Sequence, residues 1–314
     1  MFPQEKVLPF DGNHLRKLRA MVAIRSWVLT IVLASCSLAV AADTPIGNPR
    51  IQGGNVRIEF DDHLRSRVVA CFDKKETVMG PFTASETVAT ADKTWTGFLL
   101  TSQKHEHAKD TFGEGERLTL EGKAGELKKT VSVTVYDEFP AMAFFEVQYT
   151  NTGSSKIAIK GWTNNAYTVK AQTGAGARVF WSYQSGSYEK RPNWVLPLHT
   201  NFQQENYQGM NASDYGGGTP IVDVWRRDVG MAVGHVEPRP KLVSLPVSMP
   251  DPAHASLAVR FTKGNSLNPG EGLKTFRTFV AVHQGDYFRT LADYRRFMMK
   301  QGFQTATAPD DAFG

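Results

Sequence analysis

The segment DYGGGTPIVDVWRRDVGMAVGHVE, residues 214–237, places Asp223 and Trp225 two positions apart on a short apolar run. Alternate residues of a strand point to the same face of a sheet, so these two side chains would lie side by side. An indole ring can stack on the C–H face of a sugar, and a carboxylate accepts hydrogen bonds from hydroxyl groups. The pair is therefore a candidate for carbohydrate binding.

The same segment predicts a β-hairpin. If the chain turns about residues 228–229, antiparallel pairing puts Trp225 opposite Ala232 and Asp223 opposite Gly234. Small opposing residues would leave room for a ligand above the sheet. The alternative is that Trp225 packs in the core, as most strand tryptophans do, and that Asp223 bonds to a neighbouring side chain.

Asp214, Tyr215 and Gly217 form a second candidate region just before the hairpin. Gly217 is the middle one of three successive glycines. Such a run lets the backbone approach a ligand closely or adopt positive φ, and it equally makes an ordinary flexible turn.

Residues 183–218 form a long polar segment that resists interpretation as strands, and such a loop in a compact domain is usually functional or an arm. Aromatic side chains crowd this segment and its approach: Trp181, Tyr183, Tyr188, Trp194 and Tyr207. Aromatic rings between amide side chains indicate a saccharide-binding surface or an oligomer contact, and the simpler alternative is a cluster that packs the loop. Trp181 and Trp194 are taken as further binding candidates.

The remaining chemical motifs are weak. His105 and His107 share a strand face but lack a third ligand, so no metal is predicted. GAGA, residues 174–177, lacks the residues of a phosphate loop, and no cofactor is predicted. His235 would matter only if the protein isomerised sugars by acid–base chemistry, and its position favours a core histidine.

These residues must be positioned mainly by strands. Eight runs between residues 50 and 285 are rich in β-branched and aromatic residues, many with apolar and polar positions alternating, and turn residues separate them. They are VRIEF, LKKTVSVTVY, AMAFFEVQYT, SKIAIKGWT, PIVDVW, MAVGHVE, HASLAVRF and KTFRTFVAVH. The pattern predicts an all-β protein with a large antiparallel sandwich.

The chain changes period near its end, where GDYFRTLADYRRFMMKQG predicts an amphipathic helix. Asp286 is the expected N-cap and Gly302 the expected C-terminal stop. The apolar stripe is expected to contain Tyr287, Leu291, Tyr294 and Met298, widened by Phe288 and Phe297.

The first 42 residues read as a leader. Basic residues precede the apolar run WVLTIVLASCSLAVA, which ends in a small-residue site near Ala41, so a secretory signal peptide is predicted, with Met21 as an alternative start. LASC, which ends at Cys36, also resembles a bacterial lipobox, so lipidation at Cys36 is the alternative to simple cleavage. Without this leader, the chain holds 31 Lys and Arg against 29 Asp and Glu, and nucleic-acid binding is not implied.

Two stretches, VYDEFPAMAFFEVQYTNTG (135–153) and the hairpin segment, together resemble the N-terminal domain of α-galactosidases of glycoside hydrolase family 36. In that family a β-supersandwich similar to galactose mutarotase precedes a catalytic (β/α)8 barrel. The resemblance implies a supersandwich at 43–285 after a leader at 1–42, and a linker helix with a truncated join to the barrel at 286–314. It also implies that the loop at Asp214 reaches a sugar pocket.

The sequence departs from that family at the catalytic residues. The family's two catalytic aspartates lie in the barrel, the nucleophile typically within Lys-Trp-Asp, whereas no tryptophan here precedes an aspartate. No catalytic residue is therefore predicted in this chain, since glycoside hydrolysis requires a pair of carboxylates.

The sequence thus predicts an exported, periplasmic or extracellular, non-catalytic domain of an α-galactosidase-like enzyme. Its expected partners are a galactoside-type saccharide, a (β/α)8 barrel and a second copy of itself. The alternative is a stand-alone sugar-binding or mutarotase-like protein. A purely structural domain, in which the hairpin is plain core, is the third possibility.

Overall fold

The computed structural model describes residues 48–171, 180–184, 194–208, 219–239 and 241–304. All of them belong to one compact unit, Pro45–Gly314, which is distinct from Met1–Thr44. The elements are, in chain order, β1 (Arg50–Gln52), β2 (Val56–Phe60), β3 (Ser66–Phe72), β4 (Lys75–Val78), β5 (Thr87–Thr90), β6 (Thr94–Trp95), β7 (Leu99–Asp110), β8 (Gly113–Ala124), β9 (Leu127–Tyr136), β10 (Met142–Asn151), β11 (Ile157–Lys170), β12 (Trp181–Gln184), β13 (Val195–Pro197), β14 (Phe202–Gln204), β15 (Tyr207–Gln208), β16 (Ile221–Trp225), β17 (Gly230–His235), β18 (Val243–Ser244), β19 (Val247–Asp251), β20 (His254–Phe261), β21 (Asn265–Leu267), β22 (Gly272–Lys274), β23 (Thr278–His283) and α1 (Phe288–Lys300).

The described strands form antiparallel sheets of four, ten and nine strands. The four-stranded sheet has the order β1-β2-β3-β4. The ten-stranded sheet runs β13-β12-β16-β17-β23-β10-β9-β8-β7, with β22 beside β10. The nine-stranded sheet contains β14-β19-β20-β11-β5-β6, with β15, β18 and β21 attached. The predicted all-β antiparallel sandwich is confirmed.

A large apolar core joins the three sheets. Alternation along several strands contributes to it, because one face of each of these strands is apolar. In β9, for example, Val131 and Val133 are buried, and the residue between them, Ser132, is half-buried. The same core includes Val169 of the nine-stranded sheet and Ile58 of the four-stranded sheet.

Each of the eight predicted strand runs overlaps an observed strand. The sequence did not predict the long hairpin of β7 and β8, whose register pairs His105 with Leu118 and His107 with Glu116. Most of β7 is exposed, so no apolar alternation marks it. His105 and His107 lie two positions apart on this strand, and both are exposed.

Helix α1 covers the outer face of the ten-stranded sheet, the face that points away from the main core. Phe297 is fully buried there and stacks on Phe144 at 4.3 Å and on Phe112 at 4.6 Å between ring centroids. Phe288 was expected in the same stripe, and this prediction is wrong, because its side chain is 62% exposed. Within the described residues, no helix is long and apolar enough to cross a membrane.

The two ends of α1 differ slightly from expectation. Tyr287 occupies the N-cap position instead of Asp286, although the Asp286 carboxylate accepts a 3.1 Å hydrogen bond from the Phe288 amide. Gly302 follows the helix with φ of +92°, a conformation that glycine adopts without steric cost, so the predicted stop is confirmed.

Arg277 fastens the helix to the sheet. Its Nη2 donates a 2.6 Å hydrogen bond to the Tyr136 hydroxyl. The guanidinium carbon lies 4.8 Å from the Phe112 ring, 5.3 Å from the Phe144 ring and 5.6 Å from the Phe297 ring. A cation held over several rings gains attraction from each of them, most strongly where water is excluded.

Substitution of Phe297 by alanine is expected to destabilise the fold by about 3–5 kcal/mol, the usual cost of removing a buried aromatic side chain. Phe288→Ala, on the same helix, is the matched control and should change stability by less than about 0.5 kcal/mol. Urea unfolding measures both free energies. Equal effects of the two substitutions would contradict the placement of α1.

Candidate functional site

The hairpin of β16 and β17 pairs in a different register from the one the sequence predicted. Asp223 is opposite Ala232, and Trp225 is opposite Gly230. The predicted pairing is wrong by two residues, because the turn is centred between residues 227 and 228, one residue closer to Trp225 than predicted. Since a shift of two preserves the alternation, Asp223 and Trp225 still share one face.

Gly230 makes room for the bulky side chains around it. A Cβ at this position would lie 2.2 Å from the His283 ring and 2.7 Å from the Trp225 Cβ. Glycine therefore allows Trp225 and His283 to flank this point of the sheet. The space beside Gly230, which lies opposite Trp225, is therefore filled by protein side chains and is not open to a ligand.

Asp223 is fully buried under α1, with 0% of its surface exposed. Its Oδ1 lies 2.9 Å from His283 Nε2, and its Oδ2 accepts a 2.8 Å hydrogen bond from the Thr290 hydroxyl. Thr290 belongs to the helix, so the carboxylate links β16, β23 and α1. A sugar hydroxyl cannot reach either oxygen in this arrangement.

The Asp223 carboxylate also sets the charge of His283. Burial by itself lowers the pKa of His283, but attraction to Asp223 and the hydrogen bond between them outweigh burial and raise the pKa above its usual value. When the imidazole is protonated, it forms a buried ion pair with the Asp223 carboxylate beneath the helix.

Five aromatic side chains meet at the end of the ten-stranded sheet beside this pair, and they are called the aromatic cluster below. Trp181 is directly opposite Trp225 across β12 and β16. Tyr287, which precedes α1, stacks on Tyr183 with centroids 4.7 Å apart and planes at 5°, and lies 5.7 Å from Trp225. The cluster consists of Trp181, Tyr183, Trp194, Trp225 and Tyr287.

Two rings of the aromatic cluster are open to solvent. Trp181 is 37% exposed and Trp194 is 41% exposed. Tyr183, which is nearly buried, contacts Trp194 edge to face at 6.4 Å and so supports it from below. Exposed indoles on a supported base provide flat apolar surfaces on which a sugar ring could stack.

The structure thus brings together four of the predicted residues, Asp223, Trp225, Trp181 and Trp194, with Asp223 beneath the protein surface. Asp214, Tyr215 and Gly217 lie outside the described residues. Carbohydrate binding by the set stays a prediction.

Tyr287 and His283 were not predicted as site residues. Tyr287 was assigned to the helical stripe and His283 ended a predicted strand, so each carried a local signal for structure only. Their meeting with Asp223 and Trp225 arises from the docking of α1, which spacing along the chain does not reveal.

His235, which the sequence analysis placed in the core, is indeed buried. His235 is 3% exposed, and burial lowers its pKa to about 4, so it is neutral near pH 7. This confirms the expectation of a core histidine.

Among the described residues, Asp61, Asp62 and His63 offer atoms that could bind a metal ion within 4.8 Å of one another. The Asp61 carboxylate already accepts a 2.6 Å hydrogen bond from Arg65.

Comparison with known proteins supports the fold. No family model matches the chain. The α-galactosidase of Lactobacillus brevis aligns over 81% of this chain and 42% of its own, with a TM-score of 0.59 and 10% identity. A variant of the GH36 α-galactosidase AgaA of Geobacillus stearothermophilus, in complex with stachyose, aligns over 80% of this chain and 42% of its own, with a TM-score of 0.56 and 13% identity.

A curated relative aligns over a smaller share of this chain and of its own length. The A type blood α-D-galactosamine galactosaminidase of Flavonifractor plautii is 24% identical over 196 residues, which are 60% of this chain and 17% of that protein. The chain therefore spans about two fifths of the solved structures and less of the curated relative. The resemblance to family 36 α-galactosidases is confirmed at the level of the fold, as a similarity to one part of those enzymes.

The ion pair predicts a pH dependence. The folded pKa of His283 is raised, so its contribution to stability is complete below the unfolded pKa of about 6.5 and is lost as pH rises through the folded pKa. We expect the His283→Gln variant to lack this decrease in the free energy of unfolding as pH rises. Free energies of unfolding measured between pH 5.5 and 8.5 compare the two proteins.

His254→Gln is the matched control for that experiment. His254 also lies beside an aspartate, Asp251, at 2.9 Å, but that pair is exposed to solvent. This control should keep the pH profile of the unaltered protein. A His283→Gln profile that also matches the unaltered protein would contradict the buried ion pair.

Proposed function

We propose that this chain is a non-catalytic β-supersandwich domain of an exported α-galactosidase-like glycoside hydrolase. In this role it docks a (β/α)8 barrel and forms one wall of a sugar site. The fold supports the proposal, since the solved α-galactosidases match this chain over most of its length and over only about two fifths of theirs.

The aromatic cluster is the observation that carries the sugar-binding role. Trp181 and Trp194 present exposed rings at one end of the ten-stranded sheet. Trp225 and Tyr287 hold that end in place, because Tyr287 bridges between Trp225 and the stacked Tyr183. Rigid rings with few rotatable bonds lose little entropy when they bind, which suits them to a weakly attractive ligand such as a neutral sugar.

The buried state of Asp223 favours binding over hydrolysis at this surface. Glycoside hydrolysis requires two carboxyl groups on either side of the scissile bond. Asp223 lies close to the aromatic cluster, yet both of its oxygens are engaged by His283 and Thr290. It therefore supports the wall from within.

One flank of α1, the side next to Thr219, supports barrel docking. A depression of about 290 Å³ there is lined mainly by apolar side chains, including Leu291, Met298, Met299 and Phe303. Contiguous apolar surface with a polar rim, here Arg295 and Gln304, commonly marks a contact between domains.

The leader motif of residues 1–42 supports export of the whole protein, with lipidation at Cys36 as the alternative.

The same exposed rings also favour the alternative of a chain that binds sugar without a barrel. Both forms of the proposal require the aromatic cluster to recognise a saccharide. They differ in whether the apolar depression on α1 is covered by a catalytic domain.

We expect Trp181→Ala to weaken binding of stachyose by about tenfold, which corresponds to about 1.4 kcal/mol of stacking and burial. Titration of the Trp225 indole resonance with stachyose in the 314-residue chain measures the affinity of the aromatic cluster. Turnover of an aryl α-galactoside, measured in parallel, should not exceed the blank.

Trp95→Ala is the matched control, because Trp95 lies on β6 in the nine-stranded sheet. This variant should bind stachyose as the unaltered chain does. Unchanged affinity in Trp181→Ala would overturn the sugar-binding role, and turnover well above the blank would overturn the non-catalytic role.

A further inference from the structure

The outer face of the nine-stranded sheet carries rows of small polar side chains. Ser248, Ser256 and Thr168 stand opposite one another on the neighbouring strands β19, β20 and β11. The hydroxyls of Thr168 and Ser256 lie 3.1 Å apart. Hydroxyl groups both donate and accept hydrogen bonds, so this row can act as donor or acceptor toward a ligand.

A second row contains a fixed charge pair. Arg260 stands opposite Thr163 on β11 and Ser244 on β18. Its Nη1 lies 3.2 Å from Glu205 Oε2, and the Ser244 hydroxyl donates to the same oxygen at 2.5 Å. The guanidinium is therefore oriented by its partners, and its charge is balanced.

The floor between the two rows is low, because Pro246, Ala258 and Ala166 have short side chains. Two adjoining depressions of about 320 Å³ and 460 Å³ result. They share Pro246, Ser248 and Arg260, so they form one continuous groove. Gln203 and Phe202 line its far end.

We propose that this hydroxyl groove, lined by Thr163, Thr168, Gln203, Ser248, Ser256 and Arg260, binds an uncharged oligosaccharide. Its hydroxyl, amide and guanidinium groups can bond to successive sugar hydroxyls, and the short apolar floor can accept the C–H faces. The site lies on a different sheet from the aromatic cluster, and it does not depend on the function proposed for that cluster.

The composition of the groove favours a sugar over a protein partner or an anion. Centres of protein interfaces are enriched in aromatic residues and methionine and depleted in serine and alanine, whereas serine, threonine and alanine dominate here. An anion would gain little, because Glu205 already neutralises Arg260. A neutral ligand with many hydroxyls satisfies the exposed groups without adding charge.

The test uses local signals from each site in the 314-residue chain. Alanine methyl resonances of Ala166 and Ala258 report on the groove, and the indole resonance of Trp225 reports on the aromatic cluster. We expect stachyose to shift both methyl signals in a saturable manner. Ser256→Phe, which fills the groove, should weaken this response at least tenfold and leave the indole response unchanged.

Thr101→Phe places the same side chain on the exposed strand β7 and should leave the methyl response intact. Trp181→Ala should alter only the indole response, so that failure of the aromatic cluster and failure of the groove are distinguishable. Methyl signals that ignore stachyose, or that still respond in Ser256→Phe, would overturn the proposal. So would tighter binding of an anionic oligogalacturonide, or methyl shifts caused by self-association without sugar.

Discussion

The docking of α1 on the ten-stranded sheet is the contact on which the arrangement of this molecule depends. Strands β17 and β23 in the middle of that sheet are buried along their whole length, so both faces of the sheet are covered there. The nine-stranded sheet covers one, and α1 covers the other through Phe297 among the rings of Phe112, Phe139 and Phe144. The aromatic cluster therefore lies at the margin of α1, and the hydroxyl groove lies on the outer face of the nine-stranded sheet.

Polar groups beneath the helix add direction to this apolar contact. Apolar packing alone would tolerate several positions of α1, whereas the Asp223 carboxylate bonds to His283 of the sheet and to Thr290 of the helix. Leaving a buried carboxylate without these partners would be costly, so the polar bonds favour one position. The same position brings Tyr287 onto Tyr183 and Trp225 and so assembles the aromatic cluster.

The sequence was a good guide wherever one face of an element is buried. Alternation predicted strands such as β9 and β20, and helical spacing predicted α1. It failed where tertiary contacts decide the outcome. The polar strand β7 gave no alternation, the hairpin register depended on where the turn falls, and Phe288 points to solvent although its spacing matched the stripe. Bonding of Asp223 to another side chain was the alternative prediction, but its partners could not be named, since Thr290 lies 67 positions away in the chain.

A crystal structure of the 314-residue chain with stachyose would show whether α1 closes the outer face of the ten-stranded sheet and leaves Trp181 and Trp194 as the exposed part of the aromatic cluster. We expect a sugar ring stacked on these indoles, with Asp223 still bonded to His283 and Thr290. A sugar bonded to Asp223, with α1 displaced from the sheet, would contradict this arrangement.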